Sequence, residues 1–447
     1  MTSPRDAATR DGAAGTPGRV RRVLVDCTQT LAAPRHSGIP RVVRNIVRHG
    51  VRAAADQGAT LVPIRFQDDH FLALGIGPTG DIVDVVAPPR PSTAHPALRR
   101  LHKLLVPRTV VRAVRTRWRR LLRAPPPWPP VEFGPDDLLL LADSSWAVHF
   151  WPAVDRARAA GARVGVVQYD FIPHTHPDLV PPRLAATYRR WMRQSLGRAD
   201  VVAAISETVA AEARDELRRL GREPVAANRV RAFRLGSDVR PVERGGTVRQ
   251  ELVDFLAASP VRPYLTVGTI EPRKNQTILP AVFEAVWRQV PEARLLVAGF
   301  VGWKGEELVR RLTSHPRHGT HLAHFGDLTD AELDHAYRHA RGLVFPSRAE
   351  GYGLPIVEAL AHGMRVFASD IPAHREVGGP WCVYFSPTDA ASLAAAIVAF
   401  ERDGAFPAAC PGPGYVAPTW REAAEQLLDI IGTDASHAAA TGGRAAA

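Results

Sequence analysis

Two carboxylates, Glu350 and Glu358, stand eight positions apart in the stretch EGYGLPIVE, with a glycine-rich turn and a proline between them. The apolar run Gly342 to Phe345 predicts a strand that enters this turn through Pro346 and Ser347. Pro355 suits the first position of a helix reaching about His362. Glu350 then falls in the loop and Glu358 about one turn into the helix, so both lie near a helix N-terminus. The amides of Gly353 and Leu354 would point into the same space, where the positive end of the helix dipole receives an anion. Amide donors for phosphate and carboxylates for hydroxyls in one crevice suit a sugar nucleotide. Taken alone, the same spacing also fits an ordinary solvated helix start.

A second constellation stands upstream in VGTIEPRKN, Val267 to Asn275. A strand over Tyr264 to Val267 ends at Gly268, and a helical pattern starts near Asn275 with Ile278, Val282, Ala285 and Val286. A basic pair in such a strand-to-helix turn faces the carboxyl edge of a parallel sheet, where open α/β sheets bind ligands. Arg273 can fork onto phosphate oxygens, and Lys274 supplies a compact positive charge.

With both motifs in view, Pro346 to Gly379 resembles the E-x7-E region of retaining glycosyltransferase family 4, whose members have the GT-B fold, and VGTIEPRKN resembles that family's donor loop. The resemblance covers about Arg22 to Ile431. It implies transfer of a sugar, hexosyl and mannosyl-like, from a nucleotide-sugar donor to a glycan, lipid-linked or small-molecule acceptor, with retention of anomeric configuration. Arg273 and Lys274 would stabilise the departing diphosphate, Glu350 would hold donor sugar hydroxyls and Glu358 the ribose. Donor contacts are also implied at Gly38, Gly268, Thr269, Gly351, Tyr352, Gly353 and Leu354. SGIPRVVRN, Ser37 to Asn45, resembles the family's N-terminal glycine loop. VVQYDFIPHTHPDLV resembles a segment that brings an aspartate, here Asp170, to the cleft from the acceptor side. No metal cofactor is implied, and His174 and His176 read as loop histidines. Ser206 opens a helix, Leu235 to Asp238 resembles the element closing the first domain, and Glu376 reads as structural. Arg365 departs from the family, where proline is common. The rival reading is a GT-B relative without turnover that acts as a binding module at a membrane surface.

The elements that must position these residues form two α/β series. Strands are expected at Val23–Val25, Leu61–Phe66, Leu138–Leu141, Val164–Gln168, Val201–Ile205 and Val230–Phe233, with helical patterns between most of them. After PVERGGTVRQ the series restarts with Tyr264–Val267, Leu295–Ala298, His321–Phe325, Leu343–Phe345, Val366–Ala368 and Val383–Phe385. The expected fold is therefore GT-B: two Rossmann-like doubly wound domains, 21–240 and 241–417, facing a cleft. Thr419 to Glu422 reads as a capping box opening a final helix to about 433, one that either closes the second domain or crosses to the first. Residues 1–20 and 434–447 read as disordered tails.

Composition bounds the rest. The 447 residues allow two or three domains, and Cys27, Cys382 and Cys410 form neither a disulfide framework nor a zinc pattern, which suits a reducing cytoplasm. No run is long and apolar enough for a membrane span, and the N-terminus lacks a signal-like apolar region. The net charge of +12 is concentrated in an insert, 85–131: between Asp84 and Glu132 lie eleven basic residues and no acidic one, while the other 46 basic residues face 45 acidic ones. As a helix, Arg108 to Arg123 puts Val110, Val111, Val114, Trp118, Leu121 and Leu122 on one arc, with seven arginines opposite. Such a face at 97–123 fits an anionic membrane surface, on the inner face of the plasma membrane. It equally fits a helix packed on the first domain, whereas nucleic acid lacks a recognised motif here.

Overall fold

The computed structural model describes residues 19–33, 38–83, 130–237, 246–409 and 415–432. The basic insert up to position 129, the N-terminal tail up to position 18, the C-terminal tail, Ser37, Asp238 and Cys410 lie outside them, and Val20, read as tail, is buried in the first domain's core.

The first sheet is built from strands that read as short unbroken apolar runs, because a parallel sheet covered by helices buries both faces. β1 (Arg22–Asp26), β2 (Thr60–Gln67) and β3 (His70–Ala73) lead the chain, followed by a small antiparallel ribbon of β4 (Gly75–Ile76) and β5 (Ile82–Val83). β6 (Asp137–Leu141), β7 (Arg163–Gln168), β8 (Val201–Ala204) and β9 (Val230–Ala232) complete it. The order is β3-β2-β1-β6-β7-β8-β9. All neighbours are parallel except β2 and β3. This hairpin was not anticipated: its two-residue turn is Asp68-Asp69, both with positive φ (50° and 67°), in place of the usual Asn-Gly.

The second sheet comprises β10 (Tyr264–Val267), β11 (Leu295–Ala298), β12 (Leu322–Phe325), β13 (Gly342–Phe345), β14 (Arg365–Ser369) and β15 (Cys382–Phe385). Its order is β12-β11-β10-β13-β14-β15, parallel throughout. The order reverses between β1 and β6 in one sheet and between β10 and β13 in the other. A crevice opens at the carboxyl ends of the strands at each such point. The β10 turn carries Arg273 and Lys274, and the β13 loop carries Glu350. The two motifs, more than seventy residues apart in sequence, therefore share one crevice. Two doubly wound domains are present, as expected.

The last described helix, Trp420–Gly432, begins with a capping box: Glu422 N donates to Thr419 Oγ1 at 3.2 Å, and Thr419 N donates to Glu422 Oε2 at 2.7 Å. Its Trp420, Leu427, Leu428 and Ile431 are buried in the core of the first domain. Among the described residues, no helix is long and apolar enough to cross a membrane.

Candidate active site

The turn after β10 is held in shape before any ligand arrives. Two short 3-10 turns, Pro272–Lys274 and Gln276–Ile278, flank Asn275, which adopts a left-handed conformation (φ 57°), and the regular helix Leu279–Trp287 starts later than the sequence pattern suggests. The Asn275 side-chain amide donates to the carbonyls of Pro346 (3.0 Å) and Pro387 (2.9 Å), pinning the turn to the loops after β13 and β15. Gln276 Nε2 donates to the carbonyls of Gly268 (3.1 Å) and Thr269 (3.2 Å) at the end of β10.

Glu350 sits between the two cations of this turn. Its Oε1 accepts from Lys274 Nζ at 2.5 Å and Ser347 Oγ at 2.8 Å, and its Oε2 accepts from Arg273 Nη1 at 2.6 Å. Arg273 also pairs with Glu271 at 2.8 Å. The Glu350 side chain is only 8% exposed and that of Lys274 13%. Burial pushes the Glu350 carboxyl up, but Arg273 and Lys274 outweigh it and hold the group down at about 2. Burial lowers Lys274 against the opposing pull of Glu350. Burial also pulls Arg273 down, yet Glu350, Glu271 and Asp170 together keep it above its ordinary value. Glu350 is the counter-ion that holds both cations, because desolvated charges of opposite sign pair when they meet.

The helix carrying Glu358 runs over Leu354–Ala361, and Gly353 precedes it with φ 113°. Pro355 thus occupies the second helical position rather than the first, because Gly353 makes the turn that only glycine adopts without strain. Glu358 is buried and doubly held: Arg41 Nη1 donates to Oε1 at 2.7 Å, and the Tyr337 hydroxyl donates to Oε2 at 2.8 Å. Arg41 belongs to the helix Gly38–Asp56 of the first domain, so this pair bridges the two domains. Gly38 opens that helix with no atom within 4 Å of where a Cβ would stand.

The first domain reaches the crevice at Tyr169-Asp170. A side chain at Gly351 would place its Cβ 1.9 Å from the Tyr169 carbonyl oxygen and 3.1 Å from Asp170 Cβ, so glycine is required for this approach. Asp170 Oδ1 accepts from the Ile172 amide at 3.0 Å, and its carbonyl accepts from Tyr188 (2.5 Å) and Gln168 (2.6 Å). Burial raises the Asp170 carboxyl, with Arg273 opposing. Ser206 Oγ donates to the Gly351 carbonyl at 2.8 Å. Glu376 accepts from the amides of Glu207 (2.7 Å) and Thr208 (2.9 Å), capping a helix of the opposite domain, Glu207–Arg219. The Tyr352 side chain turns toward the first domain. Its ring is buried in the first domain's core and its hydroxyl donates to the Leu235 carbonyl at 3.2 Å, since Gly351 already lies against that domain. Leu354 packs partly against the same core.

Sequence reasoning missed Arg41, Tyr337 and His374. His374 is fully buried behind Gly353, where a Cβ would meet its Cδ2 at 3.4 Å. Its Nδ1 lies 3.0 Å from the Ser369 carbonyl, which fixes the proton on that nitrogen. Burial holds the ring neutral, lowering it to about 4 against the pull of Glu350. His174 pairs with Glu216 at 3.3 Å. Among the described residues, no group of three or more His, Cys, Asp or Glu side chains is placed to hold a metal ion.

Residues 256–411 match the family model described as glycosyl transferases group 1. The serotype-specific mannosyltransferase WbdA of Escherichia coli is 29% identical over 309 residues, covering 67% of this chain and 37% of WbdA. The chain thus spans a little over a third of the length of that relative. The phosphatidyl-myo-inositol mannosyltransferase of Mycolicibacterium smegmatis is 32% identical over 150 residues, 33% of this chain and 36% of that enzyme. Two solved structures superpose over nearly the whole chain. Sucrose-phosphate synthase from Thermosynechococcus elongatus gives a TM-score of 0.51 at 17% identity, covering 94% of this chain and 97% of its own. Anabaena HepE, solved in complex with UDP and glucose, gives 0.52 at 14%, covering 94% and 99%. The fold is GT-B.

Proposed function

We propose that this chain is a retaining glycosyltransferase that moves a sugar, mannosyl-like, from a nucleotide donor to a glycan or lipid-linked acceptor. The observation that carries the reading is the Arg273–Lys274–Glu350 cluster at the switch point of the second sheet, below the start of the helix Leu354–Ala361 and opposite Asp170. A diphosphate entering there meets two partly buried cations and the first-turn amides. In the reaction the bond from the anomeric carbon to the phosphate oxygen breaks while the acceptor oxygen bonds to that carbon from the same face. The acceptor proton passes to the departing phosphate oxygen. Negative charge grows on the diphosphate, so preorganised donors stabilise the transition state more than the ground state, each by about 3 kcal/mol. As phosphate takes over part of the cations' pairing, Glu350 gains capacity to accept from sugar hydroxyls. Asp170 faces the sugar from the acceptor side, Glu358 holds the ribose, and no metal ion is needed. The mannosyl preference is supported by the names of the sequence relatives. The test is release of free nucleoside diphosphate when the protein is supplied with candidate sugar nucleotides and acceptors. Binding without turnover across such a screen would favour the binding-module reading instead.

A further inference from the structure

We propose that Arg41 is a positioning residue for the donor's ribose, acting through Glu358 from the opposite domain. The inference rests on the donor reading of the cleft given above. A carboxylate offers about four acceptor directions on its two oxygens. In Glu358, Arg41 Nη1 takes one on Oε1 at 2.7 Å and the Tyr337 hydroxyl takes one on Oε2 at 2.8 Å. Two directions remain, which matches the two hydroxyls of a ribose diol. The Tyr337 ring is itself fixed, stacked on His362 with centroids 5.0 Å apart. Tyr337 and Glu358 both belong to the second domain, so their hydrogen bond persists however the domains move. Arg41 belongs to the first domain, on the helix that Gly38 opens. Its hold on Glu358 therefore exists only when the cleft is closed.

This gives Arg41 a function that an ordinary surface pair lacks. The Glu358 side chain is 9% exposed and that of Arg41 33%, so the contact is shielded on the carboxylate side. With Arg41 in place the carboxylate is oriented and partly neutralised, and the diol completes its shell. When the domains separate, Glu358 keeps only Tyr337 and loses its fixed orientation toward the diol. Nucleotide affinity is thereby coupled to domain closure through one guanidinium, and only for ligands that carry the diol.

The experiment measures calorimetric affinities of UDP, GDP and ADP, their dideoxyribose counterparts and pyrophosphate, for the wild-type chain, Arg41→Ala and Arg41→Lys. Thermal melting reports folding, and Arg41→Gln replaces Arg41→Ala if the latter does not fold. For the nucleotide that wild type prefers, Arg41→Ala is expected to weaken binding about tenfold or more, as loss of a hydrogen bond to a charged group does. Arg41→Lys should recover part of that loss. The dideoxy counterpart and pyrophosphate should bind the variants and wild type equally. Equal affinity of Arg41→Ala and wild type for the ribonucleotide overturns the proposal, as does an equal loss for ribose and dideoxyribose forms, which marks a merely structural bridge. A wild type that binds none of the nucleotides overturns the donor reading as well, so the two failures are distinct.

Discussion

Replacing Lys274 with alanine perturbs two free energies that can be read separately. The lysine Nζ lies 2.5 Å from Glu350 Oε1 and 5.0 Å from the centre of the Phe345 ring. Breaking a buried ion pair from one side costs about 3–5 kcal/mol when the survivor is left alone. Glu350 is not left alone, since Arg273 remains at 2.6 Å and Ser347 at 2.8 Å. The stability loss should therefore be nearer the ~1.5–3 kcal/mol of a lost hydrogen bond to a charged group. The kinetic loss should be larger. On the reading proposed here, Lys274 stabilises charge that develops only as the glycosidic bond breaks, an effect worth about 3 kcal/mol, or a hundredfold or more in kcat. The assay is nucleoside diphosphate release at saturating donor, with melting and circular dichroism to confirm folding. Lys274→Met, which keeps the packing of the aliphatic stem, should show a smaller stability loss and the same kinetic one. A folded variant with near-normal kcat would refute the reasoning, because a lysine needed only for the unliganded pair moves stability and not turnover.

Glu350 is held at about 2, below its ordinary 4.5, so its pairing contributes stability that is present above about pH 4.5 and lost as pH falls toward 2. The contribution is about 3 kcal/mol, and the stability gap between wild type and Glu350→Gln in acid titration should close through that window; a gap independent of pH would contradict it. Gly351→Ala must push the Tyr169 backbone away from a 1.9 Å clash, costing on the order of 1–3 kcal/mol and opening the domains, which small-angle scattering and kcat should both register. Turnover is expected to survive EDTA; loss on chelation with recovery on adding magnesium or manganese would reverse the assignment of the cationic role to Arg273 and Lys274. Changing Arg112, Arg115, Arg119 and Arg123 to glutamine should weaken co-sedimentation with anionic vesicles, at about 1 kcal/mol per charge, and equal pelleting of both proteins would mark the insert as packing.

Much of the architecture was legible because buried parallel strands write themselves as short apolar runs, and β1, β6, β11 and β13 are plain in the sequence. β3 was not, since Asp68-Asp69 does not advertise a hairpin as Asn-Gly does. At the site, the family resemblance brought Glu350 and the basic pair to one donor, but it does not say which charge neutralises which. That depends on how closely two loops approach after desolvation. The direction of the Tyr352 side chain was not legible because the flanking glycines admit many directions, and the approach of the first domain to Gly351 chose one. Arg41 was one arginine among many until the closed cleft set it on Glu358.

The helix Trp420–Gly432 has a consequence for biogenesis. It supplies Trp420, Leu427, Leu428 and Ile431 to a core whose residues outside this helix, Tyr352 and Val357 apart, were made far earlier in synthesis. While the second domain is leaving the ribosome, the first waits with an apolar face uncovered, the condition under which nascent chains aggregate or engage chaperones. The second domain, contiguous in sequence, has no such wait. Vectorial synthesis therefore lets the second domain finish first and makes completion of the first the late step, joined to closure of the whole molecule.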